Sequence, residues 1–347
     1  MYKKEKVLYV FGTRPESIKL APIIRKLPGV VINTGQHVDI LDLLDIKVDY
    51  NLNCMDKYNT LTEKLGYALL EISDKAPESV EMVIVQGDTM SALAGAFFAY
   101  FNRKKLVHIE AGLRTYDQNE PYPEEAIRYT IDHISDVLFA PTDFDAADLY
   151  DEGIDDDKIF TVGNTIVDSI YYIMDKYSID ISTEPYVVIT IHRRENDTKD
   201  RVESIFKGIR SIAAQHPDLN FIYPVHPSYQ YAHKKLSDVQ NITLLPPMPY
   251  KGFITLLSGC KYVISDSGGI QEECAVLHKP VVILRERTER FSVINEGIGI
   301  LAGTSYDDIV ESCDFVFKNY KKMCSGNNPF GDGTTSDKIV EVVKGLV

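Results

Sequence analysis

Short apolar runs rich in β-branched residues recur along this chain, each followed by a longer stretch whose apolar positions repeat with helical period. Residues 7–11, 30–34, 82–86, 106–110 and 137–141 form a first set of such runs, and 187–191, 220–224, 262–266 and 281–284 a second. Runs this short and this continuously apolar predict strands buried on both faces. Their alternation with helical segments predicts βαβ units and parallel sheets. The expected fold class is α/β, with two doubly wound domains facing one another across a cleft. A polar stretch at 175–185, ending in Thr-Glu-Pro, separates the two sets and reads as a hinge. The expected boundaries are 1–175 for the first domain and 176–330 for the second. Residues 331–347 are expected to form a helix, entered through a Gly- and Thr-rich turn, that packs back on the first domain.

Composition narrows the function classes. A chain of 347 residues, 44% apolar, exceeds what one hydrophobic core usually serves, in keeping with two domains. The net charge of −14 argues against a nucleic-acid partner, which would show as a basic stripe. Five scattered cysteines without a CxxC spacing read as reduced thiols of a cytoplasmic protein, neither zinc ligands nor a disulfide framework. The start is polar and lacks a signal-peptide core, and no apolar run reaches the length of a membrane span. A cytoplasmic protein without membrane insertion is expected.

In open parallel sheets ligands bind beyond the carboxyl ends of the strands, and the unusual residues of this chain gather there. Gly12-Thr-Arg-Pro-Glu follows the first strand, and its proline marks the first position of a helix. Arg14 then sits at a helix N-terminus, where a cation is misplaced unless an anion joins it. A plain exposed arginine is the alternative. Asp88 and Glu110 follow strands expected to be neighbours, and Glu124 and Glu125 follow Pro121-Tyr-Pro. Each acid could equally be a helix cap or first-turn residue. His192-Arg-Arg-Glu places three potential cations at a strand end and favours a phosphate site over a charge run closed by Glu195. Ser267, Gly268 and Gly269 lie at a strand-to-helix turn, where bare N–H groups and the helix dipole attract a diphosphate. A turn simply capped by Ser267 is the competing reading. Glu273, one helical turn on, is placed to accept hydrogen bonds from ribose hydroxyls.

Other patterns lead nowhere. Asp143-Phe-Asp145 superficially resembles a metal-binding DxD but opens a helix after Pro141-Thr142 and reads as capping. The run 155–157 reads as a solvated turn, and His226 as either a site residue or an ordinary satisfied histidine. There is no HExxH, P-loop or GxGxxG, so no metal and no cofactor is expected.

The ordered series GTRPE (12–16), TGQH (34–37), GDT (87–89), EAGLRT (110–115), PEE (123–125), GNT (163–165), HRREN (192–196), DSGGIQEE (266–273), RERTER (285–290) and FGDG (330–333) resembles the non-hydrolysing UDP-N-acetylglucosamine 2-epimerases. It spans nearly the whole chain. The resemblance implies a fold similar to GT-B glycosyltransferases, with two Rossmann-like domains, a homodimer, and reversible conversion of UDP-GlcNAc to UDP-ManNAc for surface polysaccharide precursors. It implies catalytic roles for Asp88, Glu110, Glu124 and His192. It also implies UDP contacts from Arg14, Ser267, Gly268 and Glu273, and the residue reading adds Gly269 and Arg193. Three departures stand out. The region after TGQH is short, Asp39 replaces a common glutamine, and Tyr58-Asn59 stand where Arg-Gln is usual. In bacterial relatives this region forms a second, activating UDP-GlcNAc site, so substrate activation is expected to be lost. Phe291-Ser292 replace a usual Pro-Glu, which fits a variant UDP sugar. The alternatives are a hydrolysing epimerase, a GT-B glycosyltransferase and a non-catalytic nucleotide-sugar sensor.

Overall fold

The structure, a computed structural model, describes residues 4–35, 39–57, 59–229 and 231–346. The chain forms two compact units, one running to Tyr171 and resuming at Phe330, the other spanning Tyr172–Pro329. The first holds a seven-stranded sheet: β1 Val7–Phe11, β2 Val30–Asn33, β3 Tyr50–Asn51, β4 Met82–Gln86, β5 Lys105–Ile109, β6 Val137–Ala140 and β7 Ile159–Thr161. Their order is β3-β2-β1-β4-β5-β6-β7, every pairing parallel. The second unit holds β8 Tyr186–Thr190, β9 Asn220–Pro224, β10 Ile242–Leu245, β11 Tyr262–Ser265, β12 Val281–Ile283 and β13 Gly299–Leu301. Here the order is β10-β9-β8-β11-β12-β13, again all parallel. The α/β doubly wound reading holds for both units.

The nine runs read from the sequence are all strands, with ends that match or shift by one residue. The four strands not anticipated, β3, β7, β10 and β13, are the four sheet edges. They have two to four residues, each with exposed or half-buried positions. Central strands such as β1 and β4 are buried at every position, and their uniform apolarity follows from cover on both faces. Leu8, Val10, Val83, Val85 and Leu106 build the first core with Leu93, Phe98, Ile72 and Ile131. Val187, Ile189, Phe221, Ile264 and Val282 build the second with Phe206, Ile209, Ile212 and Val316.

The stretch 175–185 is not uniformly loose. The helix Ile166–Tyr177 runs into it, and Ser182 and Glu184 donate backbone N–H groups to Ser258 and Gly259. The buried Lys279 adds its ammonium to the Ser182 carbonyl.

The chain end completes the first unit. The helix Thr335–Lys344 packs on the helix Arg14–Lys26. Asp168 accepts the Ser336 N–H at 2.9 Å, and the Phe330 carbonyl accepts the Asn164 N–H at 2.9 Å. Gly163 makes that crossing possible. Its φ is +100°, and a Cβ there would lie 2.6 Å from the Phe330 oxygen. Gly163→Ala should therefore destabilise the protein by roughly 2 kcal/mol or more. Gly153→Ala is the control, because Gly153 has a φ of +80° but faces open space, and should cost about 1 kcal/mol. Urea unfolding of the two variants checks this, and equal losses would remove the steric account.

Candidate functional site

Each unit's strand order reverses once, between β1 and β4 in the first and between β8 and β11 in the second. Loops leaving a reversal point diverge and open a crevice for ligands. The sequence-derived candidates sit at these points: Arg14 after β1, Asp88 after β4, Glu110 after the adjoining β5, His192 and Arg193 after β8, and Ser267 after β11.

In the first unit, the helix Arg14–Lys26 begins one residue earlier than the proline rule placed it, so Pro15 is its second residue. The fourth-residue rule of helix capping still applies: Glu16 reaches back to accept the Gly12 and Thr13 N–H groups at 2.9 and 2.7 Å. Its other oxygen accepts the Thr89 hydroxyl at 2.6 Å. Thr89 in turn caps the helix Met90–Phe101, accepting the Ala92 N–H. Glu16 thus staples the β1 loop to the β4 loop. Gly12 has no room for a side chain, since a Cβ would lie 2.1 Å from the Ser91 hydroxyl and 2.2 Å from that of Thr34. The half-buried Arg14 guanidinium has no hydrogen bond or ion pair among the described residues.

Because Thr89 is the cap, Asp88 is not. Its carboxylate accepts an N–H of Arg128 at 2.6 Å. Glu110 is no cap either. It sits at a φ of +68°, a conformation costly for a non-glycine residue, and its carboxylate is bound by the buried Lys19 ammonium and by the Asn164 amide at 2.8 Å. Glu124 and Glu125 do open the helix Glu124–Ile134, so the first-turn reading is right for their position. Glu125 points away from the helix, accepting the Thr115 and Tyr116 N–H groups, both at 2.9 Å. Its other oxygen lies 3.5 Å from Arg128.

These contacts close a ring. Glu16 leads to Thr89, beside Asp88, and Asp88 leads through Arg128 to Glu125. Glu125 leads to the loop after Glu110, and Glu110 returns through Lys19 to the helix that carries Glu16. Beneath it, the buried His108 bonds the Gly87 carbonyl at 2.8 Å and Asp132 at 2.6 Å, while Asp132 also accepts the Gly112 N–H. Burial works against the Asp132 carboxylate, but His108 and Arg114 hold it below the usual carboxylate range.

In the second unit a buried carboxylate does the work that Glu16 does in the first. Asp266 accepts the His192 and Arg193 N–H groups at 3.1 and 3.0 Å and the Asn196 amide at 3.1 Å, fixing the β8 loop to the end of β11. The His192 ring lies 3.5 Å from Asp266 and 5.5 Å, between centroids, from His226. Burial pushes the His192 imidazole down despite Asp266, so it is a neutral hydrogen-bonding group at neutral pH rather than one of three cations. Among the described residues the Arg193 guanidinium has only distant partners, Glu195 at 3.7 Å and Glu289 at 3.9 Å. The Arg194 side chain, with residues 36–38 and 58 of the TGQH and Tyr58-Asn59 readings, lies outside the described residues.

The helix Gly268–Val276 has Ser267 at its cap position, yet the hydroxyl makes no capping bond. The plain-cap reading therefore fails, and the first-turn N–H groups are left to another acceptor. A Cβ on Gly268 would lie 2.7 Å from Arg290, which pairs with Glu289 and Glu272, whereas Gly269 faces open space. Glu273 is buried and accepts the Tyr250 hydroxyl at 2.8 Å.

A sequence model of the UDP-N-acetylglucosamine 2-epimerase family matches residues 24–344. The chain belongs to that family. The Bacillus subtilis (strain 168) UDP-N-acetylglucosamine 2-epimerase is 37% identical over 361 residues, covering 98% of this chain and 95% of that one. The crystal structure of the Neisseria meningitidis UDP-GlcNAc 2-epimerase bound to UDP-GlcNAc is similar with a TM-score of 0.91 and 35% identity, covering 98% of this chain and 99% of that chain. The Methanocaldococcus jannaschii UDP-GlcNAc 2-epimerase in complex with UDP-GlcNAc and UDP has a TM-score of 0.84 and 34% identity, covering 97% and 98%.

Within this epimerase-family chain, sequence reasoning missed the cations that hold the acids, Lys19 and Arg128, and the carboxylates that fix the loops, Glu16 and Asp266. A signal existed for two of them. Lys19 is a lone cation between Ile18 and Leu20 on a buried helix, and Arg128 shares a helix face with Ile131, so both had to find partners inside.

Glu16 titrates where it can be followed. Burial raises its carboxyl to about 7, against the lowering effect of its hydrogen bonds. A carboxyl raised in the folded state favours folding most below its unfolded value of 4.5, and this is lost as pH climbs through 7. Glu16→Gln keeps an acceptor for both N–H groups and cannot ionise. Its stability relative to the native protein should rise between about pH 4.5 and 7 by on the order of 3 kcal/mol, then level off. Urea titrations across that range test it, and a constant difference would show that Glu16 does not titrate there.

Proposed function

We propose that this protein reversibly converts UDP-N-acetylglucosamine to UDP-N-acetylmannosamine by eliminating UDP and adding it back through a glycal, without hydrolysis. The observation that carries the reading is the ring of acids in the first unit, present in a chain of the epimerase family. A transferase, which passes the sugar to an acceptor, has little use for carboxylates so held.

The chemistry gives each group a task. The hydrogen on carbon 2 of the sugar is not beside a carbonyl and is barely acidic. Departure of UDP leaves an oxocarbenium-like ring from which that proton can be removed. Addition of UDP follows delivery of a proton to the opposite face. The leaving diphosphate needs electrostatic support where its charge develops. In this reading Arg14, Arg193 and the N–H groups at Ser267, Gly268 and Gly269 supply it, His192 donates a hydrogen bond, and Glu273 takes the ribose. Asp88, Glu110 and Glu124 supply acid and base on the two faces of carbon 2 and stabilise the cationic ring.

We also propose that the protein is a cytoplasmic homodimer. Its five cysteines are unpaired, four of them buried, which fits a reducing compartment. Among the described residues no helix is long and apolar enough to cross a membrane. Leu70 and, on the adjoining helix, Tyr100 and Phe101 are 71%, 58% and 66% exposed, an apolar surface suited to a second copy. Sedimentation should give twice the 39.2 kDa chain mass, and Phe101→Glu should halve it.

Proton NMR of the protein with UDP-GlcNAc in heavy water tests the activity. UDP-ManNAc should appear with deuterium at carbon 2. Free ManNAc with UDP would mean hydrolysis, and an unchanged spectrum would overturn the substrate. Glu110→Gln should lower turnover by roughly a thousandfold while leaving UDP binding nearly intact. Normal turnover in that variant would remove Glu110 from the mechanism.

A further inference from the structure

We infer that Arg128 is a positioning residue for the reaction, the hub that sets Asp88 against the helix bearing Glu124. This rests on the functional reading above and adds to it a residue outside the acid and UDP-binding sets.

The geometry is specific. Arg128 lies one turn into the helix Glu124–Ile134, four residues after Glu124 and three after Glu125. It is 3% exposed. One Nη donates to the Asp88 carboxylate at 2.6 Å, and the other lies 3.5 Å from Glu125. Glu125 holds the Thr115 and Tyr116 backbone, in the loop that begins at Glu110. One side chain therefore ties together the three elements that carry the acids: the β4 loop, the β5 loop and the Glu124 helix.

Energetics favour a functional reason for it. Burying a guanidinium is repaid only when its donors are well used. Arg128 makes one short hydrogen bond, while its Nε and the second Nη make none among the described residues. Its main partner, Asp88, is 32% exposed at the side chain and needs no buried cation to tolerate its surroundings. A methionine of similar length would fill the site with less electrostatic cost. What it would not do is orient the Asp88 carboxylate. A displacement of about an ångström at a reacting group costs up to roughly a hundredfold in rate.

The test compares Arg128→Met and Arg128→Lys with the native protein. The readouts are UDP-GlcNAc turnover, deuterium entry at carbon 2, UDP affinity by calorimetry, and thermal stability. Arg128→Met should lose at least about tenfold in kcat, with KM and UDP affinity within about threefold. In Arg128→Ala, which leaves that space open, millimolar guanidinium should restore part of the rate, which a purely structural defect would not allow. Should Arg128→Met unfold early, Arg128→Lys decides. Retained folding with the same split between kcat and KM supports the role. Native kcat in a folded variant, or a loss confined to KM, overturns it. Absence of exchange in the native protein takes down the functional reading and this inference together, whereas exchange there matched by the variants overturns this inference alone.

Discussion

A parallel sheet whose strand order reverses gives two loops that leave neighbouring strands in diverging directions, and something must hold them at a fixed separation. This chain solves the problem the same way twice. Glu16 takes two consecutive N–H groups of the β1 loop and a hydroxyl of the β4 loop. Asp266, at the end of β11, takes two consecutive N–H groups of the β8 loop. Both carboxylates are buried, where an unpaired charge is expensive and a fully bonded one is rigid. The rigidity is then inherited by the residues alongside: Arg14 and Asp88 in one unit, His192 and Arg193 in the other.

The two units use their charge differently beyond that shared staple. In the first, acids face buried cations: Glu110 with Lys19, Asp88 with Arg128, Asp132 with Arg114. In the second, the β11 end offers backbone N–H groups, a glycine facing open space and an arginine with only loose partners. The first arrangement suits holding and moving protons, because cations fix where each carboxylate lies. The second suits the proposed anion, because among the described residues Ser267 makes no cap bond and Arg193 has only loose ion pairs. Glu110 at a left-handed φ shows the cost accepted for placement, with Lys19 and Asn164 gripping its side chain and the Phe139 carbonyl holding its N–H at 3.0 Å.

The central part of the fold was legible and its margins were not, for one reason. A strand covered on both faces must be apolar at nearly every position, and β1, β4, β8 and β11 announce themselves. An edge strand such as β3, with both residues exposed, or β13, with one buried residue, obeys no such rule. The same reasoning applies at the site. Which strand ends carry polar residues is local information, and it led to Asp88, Glu110, His192 and Ser267. Which residue holds each acid is not local. Lys19 and Glu110 are 91 positions apart, Glu16 and Thr89 73, Asp88 and Arg128 40. Only the strand order brings them together, so the candidate acids could be named from the sequence and their supports could not.

In the proposed reaction, that asymmetry bears on how the acids take different roles. Three carboxylates of one chemical type can divide acid, base and stabilising duties only if their surroundings differ. Here the surroundings differ in the identity of the partner. Glu110 meets an ammonium and an amide, Asp88 meets a guanidinium, and Glu124 stands at a helix N-terminus beside Glu125. An ammonium on a flexible stem can follow a carboxylate as it moves and exchange protons, whereas a planar guanidinium fixes orientation and does not lose its own. A substitution that changes only the partner would therefore alter the division of labour while leaving every acid in place, and the chemistry of this unit is written as much in its basic residues as in its acidic ones.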